Sequence, residues 1–266
     1  MLKSKDYKVY SKFTENLANK LTKFYYKRLN KPFKVSNKLK GKGYDPVTSV
    51  DKAFEKFIRG EIKKKFPEHQ IIGEEFGAES GSSEFTWIID PLDGTLNFLQ
   101  GIPHFAISIG IMKGRHHEHG IIYDPLRGEE FIASRGSGAQ LNGKRIRVSN
   151  RTKLEDCVLA TGLPPGCVEN RLDEYMVGLK DLTGSCRGIR RAGSAALDLA
   201  YVAAGRTDGF WEMGLSQWDI AAGIVLVREA GGFVSDIQGG ESFFNTGDII
   251  AANPRCWRSM VQVLNH

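Results

Sequence analysis

Asp90 and Asp93 are the residues of this chain whose types and spacing most clearly suggest chemistry. The apolar segment 87–89 leads into Asp90, and Pro91 has no N–H to donate to a neighbouring strand. We therefore predict a strand whose regular pairing ends at Pro91, and a turn that brings both carboxylates to the strand end, where open α/β sheets bind ligands. For this segment alone, an ordinary turn with both aspartates capping backbone groups is an equal alternative.

The next two residues suit a phosphate group. Gly94 lets the backbone approach a ligand closely, and Thr95 can begin a helix whose free N–H groups favour an anion. Two acids beside a phosphate would repel it, but Mg²⁺ takes oxygen ligands and is commonly shared between carboxylates and phosphate. The segment therefore indicates metal-assisted phosphoryl chemistry.

Further acidic residues lie at the predicted ends of strands and helices: Asp45, Asp51, Glu74, Glu75 and Asp219. The strand-like segment 70–73 ends just before Glu74, and a helical segment begins at Trp218. Alone, each of these acids could equally cap a helix or lie in a solvated loop.

The elements that must position these acids alternate along the chain. Apolar residues at spacings of three or four predict amphipathic helices, and β-rich runs from residue 70 onward predict short strands. The predicted helices cover 4–30, 50–66, 170–183, 194–205, 218–232 and 254–264. This alternation predicts layered α/β packing in one unit of residues 1–266, with a division into two sub-layers near 145–155 left open.

The composition is typical of a folded globular protein, with 41% hydrophobic and 26% charged residues. No apolar run approaches the roughly 20 residues that span a bilayer, and the basic N-terminal segment lacks the apolar stretch of a secretory signal. We therefore expect a cytoplasmic protein without a membrane partner. The four cysteines form no C-x-x-C pair, which favours reduced thiols over a zinc or redox motif.

Positive charge is concentrated in the first quarter of the chain. Residues 1–65 hold 19 Lys and Arg against 6 Asp and Glu, a net charge of +13, whereas the remainder holds 18 against 25, a net charge of −7. Such a region could attract phosphorylated substrates, nucleic acid or an acidic protein. A solvated helix surface rich in lysine is the alternative.

The chain resembles the inositol monophosphatase family, within the wider Li⁺-sensitive, Mg²⁺-dependent phosphatases. Two segments carry the resemblance, WIIDPLDGTLNF at 87–98 and WDIAAGIVLVREAGG at 218–232, and matching segments extend from about residue 40 to 254. The resemblance implies a layered α-β-α-β-α sandwich of the type shared with fructose bisphosphatases. It also implies a homodimer and hydrolysis of a phosphate monoester by metal-activated water, with inositol 1-phosphate as the expected substrate.

The resemblance further implies roles for individual residues. The ligands of two to three Mg²⁺ ions would be Glu74, Asp90 and the carbonyl of Leu92 for the first ion, and Asp90, Asp93 and Asp219 for the second, with a weaker third ion near Glu74. The catalytic residues would be Glu74 and Thr95, which activate the attacking water, and Asp51, which supports Thr95. The substrate contacts would be Gly94, Thr95, Gly193, Ser194, Ala195 and Glu212.

The resemblance leaves the substrate and the partners open. Thr95 and the sequence DGTLNF differ from the patterns of fructose bisphosphatases and 3′-phosphoadenosine phosphatases, whereas histidinol phosphate and other small monophosphates stay open. Residues 190–215 closely resemble the bacterial SuhB-like branch of the family, which also acts in transcription antitermination. A factor that binds the transcription machinery is therefore a second hypothesis.

Two further features have weaker interpretations. The segment 115–119, Arg-His-His-Glu-His, looks like a metal motif, but its place between two strands predicts a solvated hairpin turn. Lys40 and Lys42 lie in a glycine-bearing loop that, in the family, carries a lysine to the site. Which of the two would serve is open, and simple solvation of both is an equal alternative.

Overall fold

The structure, a computed structural model, describes residues 4–29, 34–38, 46–164, 167 and 170–265. Its first elements are helix α1 (Ser4–Leu29), strands β1 (Val35–Asn37) and β2 (Pro46–Thr48), and helix α2 (Ser49–Lys65). β1 and β2 pair antiparallel as a small hairpin. Both predicted helices are present within one residue of their predicted bounds.

An eight-stranded sheet follows in the chain. Its strands are β3 (Gln70–Gly73), β4 (Gly77–Glu79), β5 (Phe85–Asp93), β6 (Ala106–Lys113), β7 (His116–Asp124), β8 (Glu129–Ser134), β9 (Gly138–Leu141) and β10 (Lys144–Ile146). The spatial order is β10-β9-β8-β7-β6-β5-β3-β4. β3 and β5 run parallel, and the other neighbours run antiparallel.

A five-stranded sheet and its helices form the rest. Its strands are β11 (Val158–Thr161), β12 (Gly188–Arg190), β13 (Gly209–Glu212), β14 (Phe233–Ser235) and β15 (Ile249–Ala252), in the spatial order β12-β11-β13-β15-β14. The helices are α3 (Thr95–Leu99), a 3₁₀ helix (Leu154–Asp156), α4 (Leu172–Ser185), α5 (Ala195–Ala203), α6 (Gln217–Glu229), α7 (Phe243–Thr246) and α8 (Pro254–Leu264).

Hydrophobic cores join these elements into five layers. On one face of the large sheet, α1 and α2 pack against side chains such as Trp87 and Ile109. On its other face, α5 and α6 fill the space between the two sheets, where Ile122 and Phe210 lie in one continuous core. α4 and α8 cover the outer face of the small sheet around Trp211. The order α-β-α-β-α confirms the predicted sandwich. None of the described helices is both long and apolar enough to cross a membrane.

The prediction of a solvated turn at residues 115–119 is wrong for most of that segment. The turn is confined to Gly114 and Arg115, and β7 begins at His116. His119 is fully buried, with Nε2 lying 3.1 Å from Thr14 Oγ1 and Nδ1 lying 2.7 Å from Ser134 Oγ. Burial lowers the pKa of His119 to about 3, so the imidazole is neutral and links α1 to the sheet.

Two glycines let α6 lie directly against the large sheet. A Cβ atom on Gly110 would lie 2.7 Å from the Cβ of Ala221, and one on Gly120 would lie 2.5 Å from the carbonyl oxygen of Ala222. Ser108, the cross-strand partner of Asp90, donates from Oγ to the carbonyl of Trp218 at 3.3 Å. The close approach therefore places the first turn of α6 beside the end of β5.

Candidate active site

Three carboxylates converge at the end of β5. Asp90, Asp93 and Asp219 each offer one oxygen, and these oxygens lie within 4.8 Å of one another. Asp90 pairs with Ser108 and Asp93 with Ala106, so the register shifts between them. Pro91 thus interrupts the pairing inside β5 without ending the strand as predicted, and this β-bulge turns both aspartates to one place.

Each aspartate is oriented by backbone N–H groups. The amide of Leu92 donates to Asp90 at 2.9 Å, and the amide of Ala196 donates to Asp93 at 2.8 Å. Asp219 is the third residue of α6 and accepts from the N-cap amide of Ser216 at 2.7 Å. These bonds fix the carboxylates before any ligand binds.

The Thr95 hydroxyl lies beside this group and is held by two acceptors. Thr95 Oγ1 is 2.9 Å from Asp51 Oδ1 and 3.0 Å from the carbonyl oxygen of Leu92. Asp51 is fully buried, and its other oxygen accepts from the amide and the hydroxyl of Thr48. Because both neighbours of Thr95 Oγ1 are acceptors, its proton is engaged, and its lone pairs stay available to orient a water molecule.

Glu74 and Glu75 lie in the turn after β3, and Glu55 of α2 holds that turn. The buried carboxylate of Glu55 accepts from the amides of Glu75 at 2.6 Å and Phe76 at 3.2 Å, and from Arg59 at 2.8 Å. Glu55 was not predicted from the sequence. Its spacing of four from Asp51, on the otherwise apolar face of a predicted helix, was the available signal.

Lys38 also reaches the site. Its Nζ lies 2.6 Å from Glu74 Oε1 and 2.6 Å from Glu75 Oε1. The two lysines named from the sequence, Lys40 and Lys42, lie outside the described residues, as does Asp45.

Burial and mutual repulsion raise the pKa values of these acids. Burial raises the pKa of Asp90 well above its usual value, and the charges of Glu74 and Asp93 add to this effect. Burial also raises the pKa of Asp93 to about 6 and that of Glu75 to about 7, and it raises the pKa values of Asp219 and Glu74. Buried carboxylates that destabilise one another require a cation, and an all-oxygen donor set fits a hard divalent one.

The residues predicted to contact the substrate include two glycines whose backbones lie close together. Gly94 and Gly193 both have positive φ, and a Cβ atom on Gly94 would lie 3.2 Å from the carbonyl oxygen of Gly193. Asn97 holds this approach by donating to the carbonyl of Ala192 at 2.8 Å. Ser194, predicted as a substrate contact, donates its hydroxyl to Asp93.

Glu212 and Asp198 form a buried acidic pair next to this backbone. Glu212 ends β13, and a Cβ atom on Gly162 would lie 2.1 Å from its carboxylate, so a larger residue at 162 would displace that carboxylate. Burial and then the charge of Asp198 raise the pKa of Glu212 well above its usual value. Asp198 was not identified from the sequence, where it reads as one polar residue in an apolar helix.

Comparisons with known proteins agree with this geometry. The model of the inositol monophosphatase family matches residues 6–265. Nus factor SuhB of Pseudomonas aeruginosa is 51% identical over 225 residues, 83% of each chain. Inositol-1-monophosphatase of Mesorhizobium japonicum is 46% identical over 227 residues, 85% of each chain. The crystal structure of extragenic suppressor protein suhB from Bartonella henselae has a TM-score of 0.89 at 43% identity, covering 96% of this chain and 98% of that one.

Mg²⁺ binding is expected to release protons near pH 6. Asp93 and Glu75, with pKa values of about 6 and about 7, are partly protonated there, and a cation displaces those protons. Titration calorimetry in two buffers of different ionisation enthalpy should therefore show buffer-dependent heats at pH 6. The raised pKa values also affect stability, because the folded state holds these protons more tightly than the unfolded state. In EDTA, the melting temperature should therefore fall as pH rises from about 5 to about 8. For the calorimetry, equal heats of Mg²⁺ binding in both buffers at pH 6 would contradict the expected proton release.

Glu55→Gln is expected to weaken Mg²⁺ binding about tenfold, since a single amide oxygen cannot replace the carboxylate that holds the turn bearing Glu74. Glu61→Gln on the same helix is the control, because Glu61 pairs only with surface lysines among the contacts described. Calorimetric Kd values for both variants decide the matter. Similar Kd values for the two would remove Glu55 from the positioning role.

Proposed function

Because the chain belongs to the inositol monophosphatase family, we propose that it hydrolyses a small phosphate monoester with Mg²⁺, and that inositol 1-phosphate is its preferred substrate. The observation that carries this proposal is the convergence of three carboxylate oxygens within 4.8 Å, next to the Thr95 hydroxyl. Carboxylates and substrate phosphate commonly share Mg²⁺. Family membership and the oxygen donors together imply dependence on a divalent metal.

The proposed ligands are those that the family resemblance implies, and the cluster of Asp90, Asp93 and Asp219 supports three of them. Glu74, Asp90 and the carbonyl of Leu92 would hold one Mg²⁺, and Asp90, Asp93 and Asp219 would hold a second, with a weaker third near Glu74. When bound, the ions supply Lewis-acid polarisation of the phosphate and of a water molecule. The chain contributes the charge and the fixed orientation of these oxygens, which the backbone amides maintain.

Thr95 and Glu74 orient the attacking water in this proposal. The Thr95 proton is engaged by Asp51 or by the Leu92 carbonyl, so Thr95 Oγ1 accepts a hydrogen bond from the water and fixes its direction. The carboxylate of Glu74 accepts the proton that the water loses. Asp51 acts by holding Thr95, and no side chain has to form a covalent intermediate.

Backbone and acidic groups recognise the rest of the substrate. The amides of Gly94 and Thr95 bind phosphate oxygens, and the absence of a side chain at Gly94 permits that approach. The backbone of Gly193, Ser194 and Ala195, together with the carboxylate of Glu212, binds substrate hydroxyl groups. Support for this assignment comes from the contact between Gly94 and Gly193, which places the two sets of groups side by side.

A substrate screen tests the proposal. We expect phosphate release from inositol 1-phosphate in Mg²⁺, inhibition by Li⁺, and slower release from fructose 1,6-bisphosphate, 3′-phosphoadenosine 5′-phosphate and histidinol phosphate. Asp90→Asn and Asp219→Asn should reduce turnover by at least about 10³-fold while circular dichroism stays unchanged, because each removes a charge from the cation site. Faster release from the bisphosphates would overturn the substrate, and normal turnover in Asp90→Asn would overturn the ligand assignment.

A second proposed function rests on the relatives that bear the name Nus factor SuhB. We propose that this chain also binds the transcription antitermination machinery. The net charge of +13 in residues 1–65 supports a surface for an acidic partner. Such a role needs no catalysis, so the binding surface and the acids of the candidate site would be separable.

Pull-down with RNA polymerase and elongation factors separates the two functions. We expect wild type and Asp90→Asn to retain these proteins equally, because the substitution changes a buried residue at the site and leaves the surface intact. Binding that is lost at higher salt would agree with a charged contact. If wild type retains none of these proteins, the binding proposal fails and only the phosphatase proposal stands.

The assembly and location are proposals of the same kind. We propose a cytoplasmic homodimer in which residues 1–266 form a single unit. The shared layer of α5 and α6, which both sheets need to bury their inner faces, supports the single unit. Size determination in solution tests the dimer.

A further inference from the structure

Lys38 provides the candidate site with a cation from the chain itself. Its ammonium lies 2.6 Å from both Glu74 and Glu75, and these three side chains are largely buried, with exposed fractions of 24%, 17% and 2%. The ammonium donates a charge-assisted hydrogen bond to Glu74 and forms an ion pair with Glu75. Lys38 therefore neutralises part of the negative charge that burial makes unfavourable.

The β1–β2 hairpin holds Lys38 in this place and ties it to the other acids. Lys38 directly follows β1, and Val35 at the start of β1 pairs with Thr48 at the end of β2. Thr48 caps α2 and donates to Asp51, the residue that holds the Thr95 hydroxyl. The hairpin thus carries Lys38 at the end of β1 and, on β2, Thr48, which donates to Asp51.

We propose that Lys38 is an internal counter-ion that competes with Mg²⁺ for the Glu74 and Glu75 carboxylates. Mg²⁺ binds oxygen at about 2.0–2.1 Å and holds its ligands in near-octahedral geometry. The Lys38 ammonium and Mg²⁺ would both bind the Glu74 carboxylate, and their positive charges repel each other. Mg²⁺ therefore binds Glu74 most tightly when the Lys38 ammonium has moved away from that carboxylate.

The competition lowers the apparent affinity for Mg²⁺ by the fraction of molecules in which Lys38 is withdrawn. Lys38 also stabilises the turn that bears Glu74 and Glu75 before Mg²⁺ binds. This inference rests on the proposed Mg²⁺ site, but it makes a separate claim about a residue outside that ligand set.

Substitution of Lys38 tests the competition through binding and stability. We expect Lys38→Met to bind Mg²⁺ at least about fivefold more tightly than wild type by calorimetry. In EDTA its melting temperature should fall, because two buried carboxylates lose their partner, whereas with saturating Mg²⁺ it should equal that of wild type. Lys38→Arg keeps the charge and should stay close to wild type in both measurements.

Lys34→Met is the matched control, because Lys34 lies in the same hairpin segment with an exposed side chain. It should leave both the affinity and the melting temperature unchanged. The direction of the affinity change is decisive, since loss of a lysine that merely supports the fold would weaken Mg²⁺ binding. Unchanged or weaker binding by Lys38→Met would overturn the competition while leaving the proposed function intact. Failure of wild type to bind Mg²⁺ would overturn both.

Discussion

The mutual repulsion of buried carboxylates at the end of β5 is the constraint on which the rest of the structure depends. Asp90, Asp93 and Asp219 approach one another closely, and because Asp90 is buried and the other two are partly buried, water screens their charges only in part. Such an arrangement persists only if the surrounding fold holds it. Backbone amides orient each carboxylate, and the positive end of the α6 dipole faces Asp219.

Two helices on opposite faces of the large sheet provide this support. α2 presents Asp51 and Glu55 one turn apart, and through them it fixes the Thr95 hydroxyl and the turn after β3. α6 brings Asp219 to the same place because Gly110 and Gly120 have no side chains at the points where helix and sheet lie closest. The site is thus an outcome of layer packing. The helices that position its residues are themselves held by hydrophobic cores away from the carboxylates.

Local signals predicted the layered fold and a turn that brings Asp90 and Asp93 together, because these residues lie in strongly patterned segments. Only the family resemblance implied that Asp219 joins them, as it does in the structure. Glu55 and Lys38 were missed, since their partners are distant in the sequence and only tertiary packing brings them together. The buried His119 was misread for the same reason: a histidine next to a turn looks solvated until its contacts with α1 are known. The roles of the individual acids stay predictions.

The two sheets meet at the layer of α5 and α6, and the chain passes from one sheet to the other between Ile146 and Val158. Asp90 and Asp93 lie before this crossing, whereas Asp219 lies after it. Neither fragment of a chain cut at the crossing would hold the complete trio of carboxylates. Each fragment would also expose an apolar sheet face that the intact molecule covers. Reassociation of such fragments would rebuild the trio, so cation binding would serve as a built-in reporter of split-protein complementation.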